Sequence, residues 1–532
     1  MNRYRKVLIL TVITGALSSE FCLAQQMKIS GTDAVTRAQK IVAQMSLDEK
    51  TAQLHGIQDE THYRVVPGIP RLGIPALTIT NGPAGFGPAG PGHQSKATAL
   101  PAPISLAATW DTAAARRNGE VAGEESAAFG NLLLESPDVN IARTPHNGRT
   151  FEGYGEDPYL TGQIAVSYIK GVQSQGILAN VKHFAGNNQE DNRFHVNAVI
   201  DERTLHEIYL RAFEAAVKEG HVASIMAAYN KLNGYHCTEN DTLLTVILRK
   251  EWGFRGFVTS DFGAVHSTVP AALHGLDVEL PTGKYWGNGL LKAAIESGQV
   301  PVSVIDSMLV RRYSTMMQYG VWNRPAPNRV IPANHAAIAL HLATEGMVLL
   351  KNKDNMLPWK AGAVHSIALI GPFSAKAMTG GGGSSRVNPI LTVSPVEGMQ
   401  HLLGNHVKVF QYNGQNIDSA VDLARSAGKV VLMLGDFQSE GRDHPIILRG
   451  NQDTLAEAVL AANPNTVVVL KSGGPVLMPW VSQAAAILEA WYPGEEDGTA
   501  VAQVLFGKVN PSGKLPITFP KSDADLPLRT PE

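Results

Sequence analysis

Short apolar runs alternate with longer helical patterns from about residue 70 to residue 320. The runs at 76–80, 137–141, 177–181, 223–226 and 256–259 read as buried strands, too short and too apolar for half-exposed ones. Between them lie stretches such as ERTLHEIYLRAFEAAVKEG, with Asp201 placed as an N-cap and Gly220 as a stop. Strand and helix units repeated in this way predict parallel strands, and many in succession predict a barrel. The segment YGVWNRPAPNRVIPANH is rich in Pro and Asn and reads as a linker. Beyond it the rhythm restarts, with SIALIG, VVLMLG, TVVVLKSGG and AAILEAWYPG separated by helices such as NQDTLAEAVLAA. A second α/β domain is predicted there, an open sheet with helices on both faces.

The predicted organisation is a signal peptide over 1–24, a TIM-like (β/α) barrel over 30–318, a linker over 319–345 and an α/β sandwich domain over 346–532. Three basic residues precede the apolar run 7–16, and Cys22-Leu23-Ala24 offers a small residue for cleavage. That run is too short to anchor the chain in a membrane. A periplasmic or secreted protein is expected, and after cleavage Cys237 alone remains, so no internal disulfide can form. The chain's length, 532 residues, and its 44% hydrophobic content suit two well-filled cores. A net charge of -2 provides no basic field, which disfavours a nucleic-acid partner.

Polar residues gather at the C-terminal ends of the first-domain strands. Asn81 follows LTIT, Lys182 and His183 follow ILANV, Tyr229 and Asn230 follow SIMAA, and Asp261 follows GFVTS. Arg149 and Glu152 lie in the loop after PDVNIA. Taken singly, a strand-end Asp is a helix cap as often as not, and a Lys-His pair is usually solvated. Several at successive strand ends converge on one barrel rim, where active sites are built. Asp, Lys, Arg, His and Asn with aromatic neighbours suit a sugar, whose hydroxyls bond strongly to charged groups. Glycoside hydrolysis uses two carboxyl groups, and Asp261 is the first; spacing alone leaves the second open.

Other motifs point nowhere. Gly85 to Gly90 fits G-x-G-x-x-G, but Pro88 interrupts it and no helix pattern follows. Gly380 to Gly383, followed by Ser384-Ser385, lacks a P-loop lysine and reads as a flexible loop. The 17 His show no metal-ligand spacing and there is no G-x-S-x-G elbow, so neither a metal nor a serine nucleophile is expected. No cofactor is expected either.

TSDFGAVH, VKHFAGNNQE, GRTFEGYGEDP and SIMAAYNKLNG, with GGGGSSRV, GNQDTLAEAV and WYPGEEDGTAVAQVLFGKVNPSGKLPITFP further on, resemble the family 3 glycoside hydrolases, in particular their two-domain β-glucosidase branch. The likeness runs in order from about residue 40 to the end. It implies a barrel followed by an α/β sandwich with the active site between them. Residue by residue, it implies Asp261 as nucleophile and Lys182, His183, Arg149, Met226 and Tyr229 as sugar contacts. QSEGRDH resembles the family's acid/base segment and points to Glu440, with Asp436, Asp443 and Glu495 as outside candidates. A raised pKa is expected for Glu440 and a low one for Asp261, the latter held by Lys182 and Arg149.

Three departures stand out. Asn81 replaces the Asp of D-G-P, Phe262 replaces the usual Trp, and His444 replaces an Arg after Asp443. Segments that complete the sandwich in the family, and a fibronectin-like domain, are not seen beyond SGKLPITFP; a naturally short chain and a clipped one both fit. The implied activity is retaining, exo-acting release of a terminal β-D-glucosyl residue from oligosaccharides or glycosides. A β-xylosidase, an α-L-arabinofuranosidase and a non-catalytic sugar-binding protein are the alternatives.

Overall fold

The computed structural model describes residues 30–58, 64–87 and 95–526; the predicted signal peptide with Cys22, Pro88 to Gly90 and the last six residues lie outside the described residues. The first domain is built on six strands: β1 (Val65–Val66), β2 (Leu77–Asn81), β3 (Leu133–Glu135), β4 (Leu178–Phe184), β5 (Ser224–Ala227) and β6 (Phe257–Ser260). They neighbour one another in chain order. β1 runs antiparallel to β2, and every later pairing is parallel. Single bridges Thr259↔Val278, His55↔Glu279 and Ile57↔Val65 carry the sheet from β6 back to β1. The result is a closed, irregular barrel whose strands are buried on both faces, as their unbroken apolar runs require.

Helices on the outside complete the barrel. Thr112–Ala128 and Pro158–Ser174 pack together through small residues, and a Cβ at Gly119 would lie 2.2 Å from the Tyr168 carbonyl oxygen. Asp201 caps its helix as predicted, accepting from the Thr204 N–H at 3.0 Å. One predicted strand is wrong. The strand after the first long helix is Leu133–Glu135, not 137–141; Asp138 makes only a single bridge to Lys182. Pro137 has no N–H to give a ladder, whereas Leu132-Leu133-Leu134 supplies the buried apolar run.

The second domain has strands β7 (Val348–Asn352), β8 (Ser366–Ile370), β9 (Lys408–Tyr412), β10 (Lys429–Gly435), β11 (Thr466–Lys471) and β12 (Ala486–Glu489). Their order is β7-β12-β11-β10-β8-β9, parallel except for β7 against β12. Alternation along each strand divides the core between two faces. Ile367, Leu369, Val431 and Met433 enter one cluster, and Ala368, Ile370, Val430 and Leu432 enter the other.

The predicted linker, 319–345, contains most of a helix, His335–Gly346. The first residue of that helix clips it to the barrel: His335 lies 2.8 Å from Glu125 through Nδ1 and 2.8 Å from Glu124 through Nε2. Burial alone would lower the His335 pKa, but the two carboxylates outweigh it and raise it to about 9. A folded-state value above the unfolded one stabilises fully below the ordinary histidine range and is lost as pH rises through about 9. The clip therefore contributes stability at mildly acidic pH that is lost towards pH 9. Thermal melts should decline between pH 6.5 and 9 in the native chain and less so in His335→Gln; equal slopes would contradict this.

Candidate active site

The C-terminal rim of the barrel faces a loop of the second domain, and between them lies a cavity of about 120 Å³. Nine of the residues singled out in the sequence line it: Asn81, Arg149, Lys182, His183, Met226, Tyr229, Asp261, Phe262 and Glu440. Arg64, Glu135 and Ser384 complete the lining.

Asp261 stands one residue past β6, its backbone N–H bonded to the Ala227 carbonyl at 2.9 Å. One carboxylate oxygen accepts from the Phe262 N–H at 2.7 Å. The other, Oδ2, is buried without a hydrogen-bond partner among the described residues and lies 3.7 Å from His183 Nε2. His183 is neutral: burial, then the Arg149 charge, push its pKa well below the ordinary value. The Asn140 amide donates to the His183 carbonyl at 2.9 Å, so its oxygen faces His183 Nδ1 at 3.0 Å. That fixes the proton on Nδ1 and leaves the Nε2 lone pair toward the cavity. Burial and the Asp261 charge together raise the Tyr229 phenol well above its usual range, so it remains a neutral donor.

The expected grip of Lys182 and Arg149 on Asp261 is not what the structure shows. Lys182 Nζ donates to Asn81 Oδ1 at 3.2 Å and lies 3.4 Å from Glu152. Arg149 forks onto Glu152, with Nε donating at 2.8 Å and Nη2 at 2.5 Å. Glu152 thus takes both cations, and all three side chains are buried. Removing one partner from such a network costs about 3–5 kcal/mol because the others are left uncompensated.

Glu440 arrives from the loop after β10. Its Oε2 accepts from the Ser384 N–H at 2.7 Å, and its Oε1 lies 3.0 Å from Arg193 and 3.7 Å from Arg149. The raised pKa expected for Glu440 is overturned. Burial pushes it up, but Arg149, Arg193 and the Ser384 bond prevail and hold it well below the carboxylate range. Burial raises other carboxyls instead: Glu135 in the lining, and Glu190, which shares Arg193 at 2.7 Å, up to about 7.

The remaining acidic candidates are occupied elsewhere. Asp436 accepts from Gly473 N–H, the Tyr492 hydroxyl and the Gln438 amide, each at 2.9 Å. Asp443 latches the two domains, accepting from Gly148 N–H at 3.1 Å and Glu190 N–H at 2.9 Å. Glu495 accepts from Ala99 N–H at 3.1 Å. None of the three lines the cavity. His444, the departure beside them, also stays outside it and bonds by backbone to the His146 carbonyl at 2.9 Å.

The glycine run that reads as a flexible loop is a packed support. Gly382 bridges to Ser439 and its N–H donates to the Gln438 carbonyl at 3.0 Å. A Cβ at Gly383 would lie 2.3 Å from Glu440 Cβ, at a backbone φ of +88°. Gly383→Ala is therefore expected to displace Glu440 and lower kcat roughly 100-fold, with a lowered melting temperature as well, because Ala at this φ is strained. Steady-state kinetics beside a thermal melt checks this, and an undiminished kcat would contradict it.

Five residues of the site, Arg64 among them, are absent from the candidates that the sequence offers. Glu135 carries the same signal as Asp261, a carboxylate ending an apolar strand, but the strand was placed at 137–141. Arg193 and Glu190 sit in GNNQEDNR, a loop with no period to read, and Ser384 was set aside with its glycines.

Comparison with known proteins agrees with this arrangement. Residues 32–314 match the family model "Glycosyl hydrolase family 3 N terminal domain", and residues 347–532 match "Glycosyl hydrolase family 3 C-terminal domain". A thermostable β-glucosidase B of Acetivibrio thermocellus is 39% identical over 90% of this chain and 66% of its own length. An exo-α-(1→6)-L-arabinopyranosidase of Bifidobacterium breve is 35% identical over 92% of this chain and 67% of its own. The chain thus spans about two thirds of the length of these curated relatives. The crystal structure of DesR, a β-glucosidase from Streptomyces venezuelae in complex with D-glucose, superposes with a TM-score of 0.87 at 34% identity, covering 91% of this chain and 78% of that one. With both domains matched and the cavity lying between them, the chain belongs to glycosyl hydrolase family 3 as a two-domain, β-glucosidase-like member.

Proposed function

We propose that this chain is a retaining, exo-acting β-glucosidase that releases a terminal β-D-glucosyl residue from a small glycoside or oligosaccharide. The observation that carries the reading is the small cavity lined by Asp261 from the barrel and Glu440 from the second domain. A small cavity, rather than a long groove, suits one terminal ring.

In this reading Asp261 Oδ2 attacks the anomeric carbon while Glu440 protonates the departing oxygen, giving a glycosyl–Asp261 ester. Glu440, then a carboxylate, takes a proton from water, whose oxygen displaces Asp261 and restores the starting configuration. Glu440 must hold a proton for the first step, whereas Arg149, Arg193 and the Ser384 N–H favour its ionised form. Glu190, on the same arginine and raised to about 7, is the adjoining carboxyl able to carry that proton near neutrality. His183, Lys182, Arg149 and Tyr229 hold the ring hydroxyls, and Phe262 covers part of its apolar surface.

A panel of aryl glycosides tests the reading, with NMR of the first-formed anomer. The expected result is fastest release from the β-glucoside with β-glucose appearing first. Appearance of the α-anomer, or binding without release, would overturn it. The similarity to an arabinopyranosidase favours one second reading, an arabinopyranoside substrate for the same pair of carboxyls, and the same panel decides it.

A further inference from the structure

The mechanism makes no use of Glu135, yet this residue lines the cavity and is only 1% exposed. It ends β3, directly across the parallel register from Asn81. Its Oε2 takes a short contact from Arg64. Its Oε1 is buried and has no hydrogen-bond partner among the described residues. Glu135 lines the cavity, and leaving its second oxygen buried and unpaired is costly. Asn81, the neighbouring acceptor, is neutral and its Oδ1 already faces Lys182 at 3.2 Å. Arg64 itself is braced against the Phe262 ring, 4.3 Å from its centroid, so Glu135 is held on the side of the cavity where the ring platform lies.

We propose that Glu135 Oε1 accepts a hydrogen bond from one hydroxyl of the terminal sugar, making Glu135, held by Arg64, a specificity-determining residue of this site. The inference rests on the β-glucosidase reading for the identity of the sugar. Arg64 turns one oxygen of the carboxylate away and so presents the other. A hydroxyl reaching Oε1 satisfies a buried acceptor at the moment of binding, and a sugar lacking that hydroxyl leaves it unsatisfied.

Glu135→Gln tests this, since the amide oxygen turns to Arg64 and leaves a donor where Oε1 stood. Titration calorimetry would compare D-glucose with its 2-, 3-, 4- and 6-deoxy analogues on both proteins. The variant is expected to bind D-glucose roughly tenfold or more weakly. For one deoxy sugar the native chain should lose about the same factor, and the variant should then bind as well as the native chain does. Equal binding of D-glucose by both proteins, or one constant loss across every sugar, would overturn the proposal. If Glu135→Gln fails to fold, Glu135→Asp, one methylene shorter with its charge kept, makes the same comparison. Turnover of an aryl β-glucoside by the native chain is recorded separately: binding without turnover defeats the β-glucosidase reading and leaves the Glu135 result standing on its own.

Discussion

Asp261→Ala is expected to reduce kcat/KM for an aryl β-glucoside by about 10⁴-fold or more, with no loss of melting temperature. The size follows from the role: without the carboxylate no covalent intermediate forms. The stability half follows from the contacts. Asp261 accepts from the Phe262 N–H, and its other oxygen is buried with no hydrogen-bond partner among the described residues. Removing an unsatisfied buried charge costs the fold little and can stabilise it. Steady-state kinetics with a parallel melt measures both halves. Residual activity within tenfold of native would remove Asp261 from the nucleophile's role.

The second large effect belongs to Glu440→Ala, and its pattern matters more than its size. A loss of about 10²–10⁴ is expected for glycosides with poor leaving groups, which need a proton to depart. Dinitrophenyl glycosides, whose leaving group departs unprotonated, should form the intermediate at close to the native rate and then stall. Added azide should relieve the stall and yield a β-glycosyl azide, since a small anion needs no base to attack the ester. The fold should persist, because Arg149 keeps Glu152 and Arg193 keeps Glu190 when Glu440 is gone. An equal loss on every leaving group, with no azide effect, would assign Glu440 a structural place only.

Much of the barrel rim was legible because it follows from strand periodicity. An apolar run that ends in a polar residue marks the mouth of a parallel barrel, and Asn81, Lys182, His183 and Asp261 all follow that rule. Glu135 follows it too, and was lost when the strand was assigned to 137–141 rather than to Leu133–Glu135. Glu440 obeys no such rule. Its place depends on how two domains dock, through Asp443 on the Gly148 and Glu190 N–H groups, and on the packed Gly382–Ser439 bridge within the second domain. Only the likeness of QSEGRDH to a family motif marked it. Its electrostatics were less legible still, because Arg193 and Ser384 come from loops separated in the chain from Glu440 and converge on it only in three dimensions.

One experiment bears on the pairing of the two domains' carboxyls more directly than the rest. Glu440→Gln mixed with a dinitrophenyl 2-deoxy-2-fluoro-β-glucoside should trap a covalent fluoroglucosyl adduct, and peptide mass mapping should place it on Asp261. An adduct on any other side chain, or burst release of dinitrophenol with no adduct at all, would contradict a nucleophile from the barrel working against an acid from the second domain.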